Sequence, residues 1–200
     1  MSVLVDRDIL AHIQSKTIVI EPFETGSLGT NSYDVHLAET LKIYKATFDQ
    51  WNRPLPLDVL EPRETVEIDI PEEGYVLKPG ELYLGATVEY TESHEHVPML
   101  SGKSSLGRLG LSVHVTAGTG DVGFCNHWTL ELTVVHPLRV YAGMPIGQLM
   151  WYRTVSDPLV RYKQKKSAKY TSRDAKPQAS EAWRNVGPWE SRARKGRRTP

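Results

Sequence analysis

Apolar residues alternate with polar ones along most of this 200-residue chain, and this period of two restricts its fold more than any other feature. The strand-like runs are bounded by proline and glycine, and they occupy residues 35–43, 66–70, 82–86, 111–115, 128–135 and 146–151. Successive side chains of a strand point to opposite faces, so each alternating run can bury one face. We therefore predict a mainly β domain, built as a barrel or jelly roll.

Two segments depart from the strand pattern. Residues 6–14 place Ile9, Leu10 and Ile13 at helical spacing, which predicts a short helix with Asp6 as its N-cap. Residues 46–64 contain three prolines and little alternation, which predicts a loop. We assign residues 1–162 to the β domain and residues 163–200 to a basic C-terminal tail.

The charges are distributed unevenly along the chain, although 24 Lys and Arg balance 24 Asp and Glu. Residues 1–160 carry 11 basic and 21 acidic side chains, whereas residues 161–200 carry 13 basic and 3 acidic ones. A basic tail on an acidic body either folds back over a polyphosphate or binds nucleic acid. We expect a flexible lid to about residue 175 and a solvated, disordered remainder, so nucleic-acid binding is disfavoured.

The cysteine content and the apolar runs constrain the location of the protein. A single cysteine, Cys125, excludes an internal disulfide framework and is typical of a reducing compartment. No apolar run reaches the ~18–20 residues of a membrane span, and the N-terminus has no signal-peptide core. We expect a cytoplasmic protein without membrane contact.

Residues 101–111 form the stretch richest in chemically useful side chains. Lys103, Ser104, Ser105 and Arg108 stand among three glycines, a composition suited to binding phosphate through hydroxyls, backbone N–H groups and cations. The Walker A spacing is absent, so this is not a P-loop. A Ser/Gly-rich turn between two strands is the competing interpretation. Further along, Glu131 is a lone carboxylate whose neighbours face the opposite side of a strand, which suits acid/base chemistry.

Residues 101–111 resemble the signature of dCTP deaminases, which are members of the trimeric dUTPase superfamily. The resemblance continues, in the family's order, through residues 3–9, 31–37, 83–87, 113–118, 121–124, 129–132 and 142–149. It implies a dUTPase-like β-barrel and zinc-independent hydrolysis of dCTP to dUTP and ammonia. The departures from the family pattern are Lys103 in place of arginine, and the segments 119–120 and 126–128.

The resemblance assigns catalytic roles to three residues. Glu131 matches the family's acid/base glutamate, and Ser104 and Arg108 match the serine and arginine at the reacting base. In the family, the serine and the arginine come from a neighbouring subunit. This implies a homotrimer with shared active sites.

The resemblance also implies a set of substrate-binding residues. Asp121 matches the aspartate that binds the sugar 3′-hydroxyl, and the other positions lie around the base and the phosphates: Lys103, Ser105, Ala117, Thr129, Tyr162, Lys169 and Arg173. Mg²⁺ is expected to bind through the triphosphate, with no metal ligand from the protein. Zinc is not expected, because the ligand set of zinc deaminases is missing. We interpret the segment His94-Glu95-His96 as a solvated turn, since no third ligand lies near it in the sequence.

Three other functions stay open at this stage. The first is a bifunctional enzyme that gives dUMP and diphosphate, because dUTP-forming members usually carry histidine at the position of Gly118. The second is a dUTPase, and the third is a non-catalytic nucleotide sensor or nucleic-acid-binding module. Inhibition by dTTP or dUTP is a further expectation of the family resemblance.

Overall fold

The computed structural model describes residues 2–116, 118–171, 173–184 and 187. Within these residues the chain is mainly β, as predicted. Its strands are β1 (Ile18–Glu21), β2 (Tyr33–His36), β3 (Thr40–Tyr44), β4 (Thr65–Asp69), β5 (Tyr75–Leu77), β6 (Tyr83–Ser93), β7 (His96–Gly102), β8 (Leu111–Ser112), β9 (Phe124–Val134), β10 (Leu138–Val140) and β11 (Pro145–Arg153).

Helix α1 (Asp6–Gln14) has the predicted bounds but not the predicted cap. Val5 is the N-cap residue, and its backbone N–H donates to the Asp8 carboxylate at 3.4 Å. Ile9 is fully buried and Ile13 packs against the core, but Leu10 is 44% exposed. The expectation that Leu10 shares the buried face was therefore wrong, because the core contacts only the narrow stripe through Ile9 and Ile13.

The two longest strands, β6 and β9, are paired antiparallel at the centre of a six-stranded sheet with the path β4-β3-β6-β9-β8, and β1 also pairs with β6. A three-stranded sheet has the order β2-β11-β7, and β5 pairs with β10. The register shifts between Ala86 and Tyr90 on β6. At this shift the buried Glu89 side chain accepts hydrogen bonds from the backbone and the ring of His36 on β2, which joins the two larger sheets.

Side chains from both larger sheets form one apolar core. Leu130 and Leu132 of β9 and Leu149 and Trp151 of β11 are at most 1% exposed and belong to the same cluster. Because inward-facing apolar side chains alternate with polar ones on these strands, the sequence pattern located β9 and β11 correctly.

Three details of the strand prediction were wrong. Leu82 precedes β6, and Val66 on the edge strand β4 is 45% exposed, since β4 pairs only with β3. The run 111–115 forms a strand only over Leu111–Ser112. Beyond it, the backbone N–H groups of Val115 and Thr116 donate to the Glu131 side chain instead of to a neighbouring strand.

The connecting segments hold little regular structure. Residues 46–64 form no helix or strand apart from one isolated bridge between Phe48 and Pro54, as predicted for a loop. After β11, the described residues contain only two 3₁₀ helices, Tyr162–Gln164 and Ala182–Arg184. None of the helices in the described part of the chain is both long and apolar enough to cross a membrane.

Candidate active site

A cavity of about 580 Å³ lies between β9, the segment that follows β8 and the chain beyond β11. Its walls are largely apolar or aromatic, with a few polar groups. The lining residues include Thr119, Asp121, Phe124, His127, Trp128, Thr129, Glu131, Tyr162 and Gln178. The structure thus brings together four of the predicted site residues: Asp121, Thr129, Glu131 and Tyr162.

Glu131 is half-buried in the middle of β9, and its side chain faces this cavity. Its neighbours Leu130 and Leu132 are fully buried on the opposite face, as the alternation predicted. The Oε2 atom accepts hydrogen bonds from the backbone N–H groups of Val115, at 2.7 Å, and Thr116, at 3.4 Å. These bonds fix the orientation of the carboxylate, and such a fixed orientation is what a proton-transfer group requires.

Asp121 is an exposed residue at the opening of a turn beside the cavity. Its carbonyl accepts a hydrogen bond from the Phe124 N–H at 3.0 Å, and Gly123 supplies the positive φ of +88° that the turn needs. The carboxylate of Asp121 accepts a hydrogen bond from Lys165 Nζ at 2.6 Å. A cation from the predicted tail is therefore already placed at the edge of the cavity.

The C-terminal segment covers part of the cavity. Tyr162 lies beside Phe124, with ring centroids 5.9 Å apart, and its hydroxyl accepts hydrogen bonds from the N–H groups of Lys169 and Tyr170. Further along, the Gln178 N–H donates to Thr129 Oγ1 at 3.1 Å. Residues beyond 175 thus contact the candidate site, which the sequence alone did not indicate.

The residues of the loop 101–111 do not line the cavity of their own chain. Ser104 and Ser105 begin the short helix α2 (Ser104–Gly107), and both are exposed, as is Arg108. Lys103 is half-buried, and its Nζ atom forms an ion pair with Asp34 Oδ2 at 2.5 Å. The chain therefore presents Ser104, Ser105 and Arg108 on its surface, outside the lining of the cavity that contains Glu131.

Two further predicted residues lie outside the lining of this cavity. Lys169 contributes to a separate polar depression and not to the cavity that contains Glu131. The Arg173 guanidinium lies 4.2 Å from the centre of the Tyr90 ring and 3.7 Å from Glu92. Burial, followed by the hydrogen bond to Glu92, raises the pKa of Tyr90 to about 12. Ala117 lies outside the described residues.

Most of the other cavity residues were not predicted as site residues, and His127 and Trp128 are two of them. The Trp128 Nε1–H donates to Thr91 Oγ1 at 3.0 Å, and His127 Nδ1 lies 3.1 Å from the Thr87 carbonyl oxygen. The signal was present in the sequence, because segment 126–128 departs from the family pattern. Neighbouring Cys125 is buried, and burial raises the pKa of its thiol, which suits packing better than nucleophilic attack.

The arrangement can hold a small polar ring against apolar walls beside an oriented carboxylate. Asp121 and Glu131 are the carboxylates among the described lining residues, and both can accept hydrogen bonds or protons. The aromatic rings of Phe124 and Trp128 provide flat apolar surface next to them, with centroids 4.7 Å apart. Such a site suits a planar heterocycle whose substituents form hydrogen bonds with a few polar groups of the protein.

Comparison with known proteins places these features in one family. Residues 3–154 match the family described as dCTP deaminase-like. A protein of Leptospira biflexa named "dCTP deaminase, dUMP-forming" is 48% identical over 168 residues, which cover 84% of this chain and 89% of the relative. A protein of Cytophaga hutchinsonii with the same name is 50% identical over 153 residues, covering 76% and 82% of the two chains.

A solved structure resembles the fold at lower identity. The 2′-deoxycytidine 5′-triphosphate deaminase of Agrobacterium tumefaciens superposes with a TM-score of 0.58 at 20% identity. The superposition covers 76% of this chain but only 48% of that one. This likeness supports the fold class, a mainly β architecture shared with that deaminase.

Proposed function

The chain belongs to the dCTP deaminase-like family, and on that premise we propose that it converts dCTP to dUMP. The proposed reaction consumes two waters and releases ammonia and diphosphate. The single observation that carries the proposal is the Glu131 carboxylate, oriented by two backbone N–H groups and facing an apolar-walled cavity. Catalysis is favoured over a non-catalytic sensor because the chain carries all three catalytic residues that the family resemblance implies, Glu131, Ser104 and Arg108.

The choice of dUMP as the product revises the first expectation, which was dUTP. Both relatives described above carry a name that specifies dUMP formation. The environment of Gly118 adds support, because a Cβ atom at this position would lie 2.5 Å from the Leu100 carbonyl oxygen. The histidine that dUTP-forming members usually carry here therefore does not fit this backbone.

In the proposed deamination, Glu131 takes a proton from a water molecule, and the resulting hydroxide attacks C4 of cytosine. The glutamate delivers that proton to N3, then takes the proton of the new C4 hydroxyl and passes it to the amine, so that ammonia departs and a C4 carbonyl forms. Asp121 would accept a hydrogen bond from the sugar 3′-hydroxyl once it exchanges Lys165 for the substrate. Thr129 lies two positions before Glu131 on β9, lines the same cavity and would contact the substrate from there.

We further propose that Ser104 and Arg108 act in the cavity of a neighbouring subunit, in a homotrimer with shared sites. Their exposure on α2 and beside it supports this arrangement. Apolar side chains near the same loop are also exposed: Leu109 by 50% and Val135 by 77%. Val135 lies beside Gly110, so the two side chains belong to one surface region that a partner subunit could cover.

The triphosphate would be held by cations and hydroxyls from the loop and the tail. Lys103 and Ser105 would contribute from the loop, and Tyr162, Lys169 and Arg173 from the tail, with Ala117 near the base. Mg²⁺ would enter with the triphosphate, because the cavity offers only two carboxylates among its described residues. Residues 163 to about 175 stay a proposed lid, and cytoplasmic location and inhibition by dTTP or dUTP stay predictions.

A subunit-mixing experiment tests the shared site. Ser104→Ala and Glu131→Gln chains, each inactive alone, are mixed and allowed to exchange subunits. With equal mixing in a trimer, about one quarter of the sites combine an intact Ser104 with an intact Glu131 from different chains. We expect recovery of dCTP deamination toward that fraction. No recovery after exchange verified by native mass spectrometry would contradict the shared site, and a homogeneous monomer in solution would do the same.

A further inference from the structure

Three metal-ligating side chains meet where α1 contacts the turn between β6 and β7. His12 comes from α1, Glu95 from the turn, and His96 from the first position of β7. One ligand atom of each lies within 4.8 Å of the others, and the two imidazole rings are 4.3 Å apart between centroids. None of the three lines the cavity that contains Glu131.

His96 is the central member of this cluster. Only 5% of its surface is exposed, so the expectation of a fully solvated turn was wrong for this residue. Its Nδ1 atom is shielded from solvent and has no hydrogen-bond partner among the described residues. A buried polar atom without a partner is uncommon in proteins and is often explained by an ion.

The His12 ring is held by Thr17. His12 Nδ1 lies 2.7 Å from Thr17 Oγ1, and that hydroxyl in turn donates to the His12 carbonyl oxygen at 3.3 Å. We assign the tautomer in which Nδ1–H donates to Oγ1, since the Thr17 hydroxyl has two other acceptors for its own proton, the His12 carbonyl oxygen and Ser15 Oγ at 3.1 Å. This assignment leaves the lone pair on Nε2 for a metal ion, the arrangement found for ligand histidines whose other nitrogen is anchored.

We propose that His12, Glu95 and His96 bind a divalent transition-metal ion of the zinc type, at a site separate from the candidate active site. Two imidazoles and one carboxylate suit zinc, with water from the solvent-exposed side as the fourth ligand. Ligand atoms around tetrahedral zinc lie about 3.3 Å apart, so the present spacing requires a small closure of the Glu95 and His12 side chains. The positive charge of Arg153 opposes the binding of a cation at this site. The Asp8 carboxylate, 3.5 Å from Arg153, partly neutralises that positive charge.

The chemical role of the ion is structural. It would connect α1 to the β6–β7 turn, two segments whose ligands are more than 80 positions apart in the chain. Binding to the folded state alone stabilises it by mass action. At free zinc about 100 times the Kd, the midpoint of thermal unfolding should rise by about 5–10 °C.

The test is a zinc titration of the untagged full-length protein against a chromogenic chelator, together with thermal unfolding. We expect one zinc per chain. Both His12→Gln and Glu95→Gln should weaken binding by more than the roughly 10–100-fold that removal of an orienting partner such as Thr17 causes. His12 and Glu95 are not buried, so these variants should fold as the wild type does, which circular dichroism checks.

His94→Ala is the matched control. His94 is the neighbouring histidine in the same turn, and its Nε2 atom is held by Glu92 at 2.8 Å. Zinc affinity should be unchanged in this variant. Absence of zinc binding by the wild-type protein would overturn the proposal. So would loss of binding in His94→Ala or Cys125→Ser with full retention in His12→Gln, because the ion would then lie in the second cluster formed by Glu92, His94 and Cys125.

Discussion

Replacement of Glu131 by glutamine changes one atom type in the candidate site and leaves its shape intact. The amide oxygen can still accept the hydrogen bond that Val115 N–H now donates to Glu131 Oε2 at 2.7 Å. The side chain would stay in the same half-buried position on β9, opposite the fully buried Leu130 and Leu132. What is lost is the negative charge and the ability to accept and return a proton.

The expected magnitudes separate catalysis from stability. Removal of a general acid/base group costs about 10²–10⁴-fold in rate, which corresponds to roughly 3–5 kcal/mol of transition-state stabilisation. The stability cost should be about 1 kcal/mol, because the two charge-assisted hydrogen bonds from Val115 and Thr116, the second of them long, become neutral ones. For a domain of this size, that lowers the unfolding midpoint by about 2–4 °C.

The assay measures initial rates of ammonia release from dCTP, alongside dCTP affinity by calorimetry. Glu131→Gln should bind dCTP with nearly wild-type affinity and show kcat reduced by the factor above. Asp121→Asn, in the same cavity, is the matched control and should raise KM more than it lowers kcat. A Glu131→Gln enzyme with kcat within tenfold of wild type would refute the assignment of the base.

Other predictions concern the frame around the site. Glu89→Gln should lower the free energy of unfolding by about 1.5–3 kcal/mol in urea titrations, because it replaces the buried carboxylate that accepts hydrogen bonds from the backbone and the ring of His36. Gly118→Ala should cost about 1–3 kcal/mol, because the new Cβ would lie 2.5 Å from the Leu100 carbonyl oxygen. Burial lowers the pKa of His96 below its ordinary value of 6.5, so the unfolded chain binds more protons there. In chelator-treated protein, the part of the free energy of unfolding that depends on neutral His96 should be present above about pH 6.5 and decrease on acidification. His96→Gln should make the free energy of unfolding less dependent on pH in this range.

Each of these predictions has a control and an outcome that contradicts it. Breaking the exposed pair of Lys45 and Glu64 should change the free energy of unfolding by less than about 1 kcal/mol. A Glu89→Gln effect of that size would refute the claim that the hydrogen bonds of the buried Glu89 with His36 stabilise the fold. Gly26→Ala introduces a Cβ into open space and should be nearly neutral. Equal effects of Gly26→Ala and Gly118→Ala would contradict the steric argument, and an unchanged pH profile in His96→Gln would contradict the assignment to His96.

The sequence predicted the parts of the fold that depend on local periodicity. Helix α1, β9 and β11 were found because their buried side chains recur at helical or strand spacing. Strand β7 was missed, because Pro98 and Gly102 within it are typical of turns. Pro98 is accommodated because β7 is an edge strand and the backbone at Pro98 points away from β11, where its carbonyl oxygen accepts a hydrogen bond from the Gly120 N–H at 2.8 Å.

The candidate site was predictable only where one residue stands out against its neighbours. Glu131 was found because it is a carboxylate in an apolar run. The contact of Lys165 with Asp121 and the approach of His12 to His96 join distant parts of the chain, and no local pattern encodes them. The site roles of Ser104, Arg108 and the tail residues stay predictions that depend on a neighbouring subunit or on substrate.

The most direct test of the account is the product formed from dCTP. Purified protein is incubated with dCTP and Mg²⁺, and nucleotides are separated by ion-exchange chromatography at early times, while ammonia and diphosphate are measured in parallel. The account predicts dUMP, ammonia and diphosphate in equal amounts, with no accumulation of dUTP. Accumulation of dUTP without diphosphate would contradict the proposed second hydrolysis, and unchanged dCTP would contradict the proposed activity as a whole.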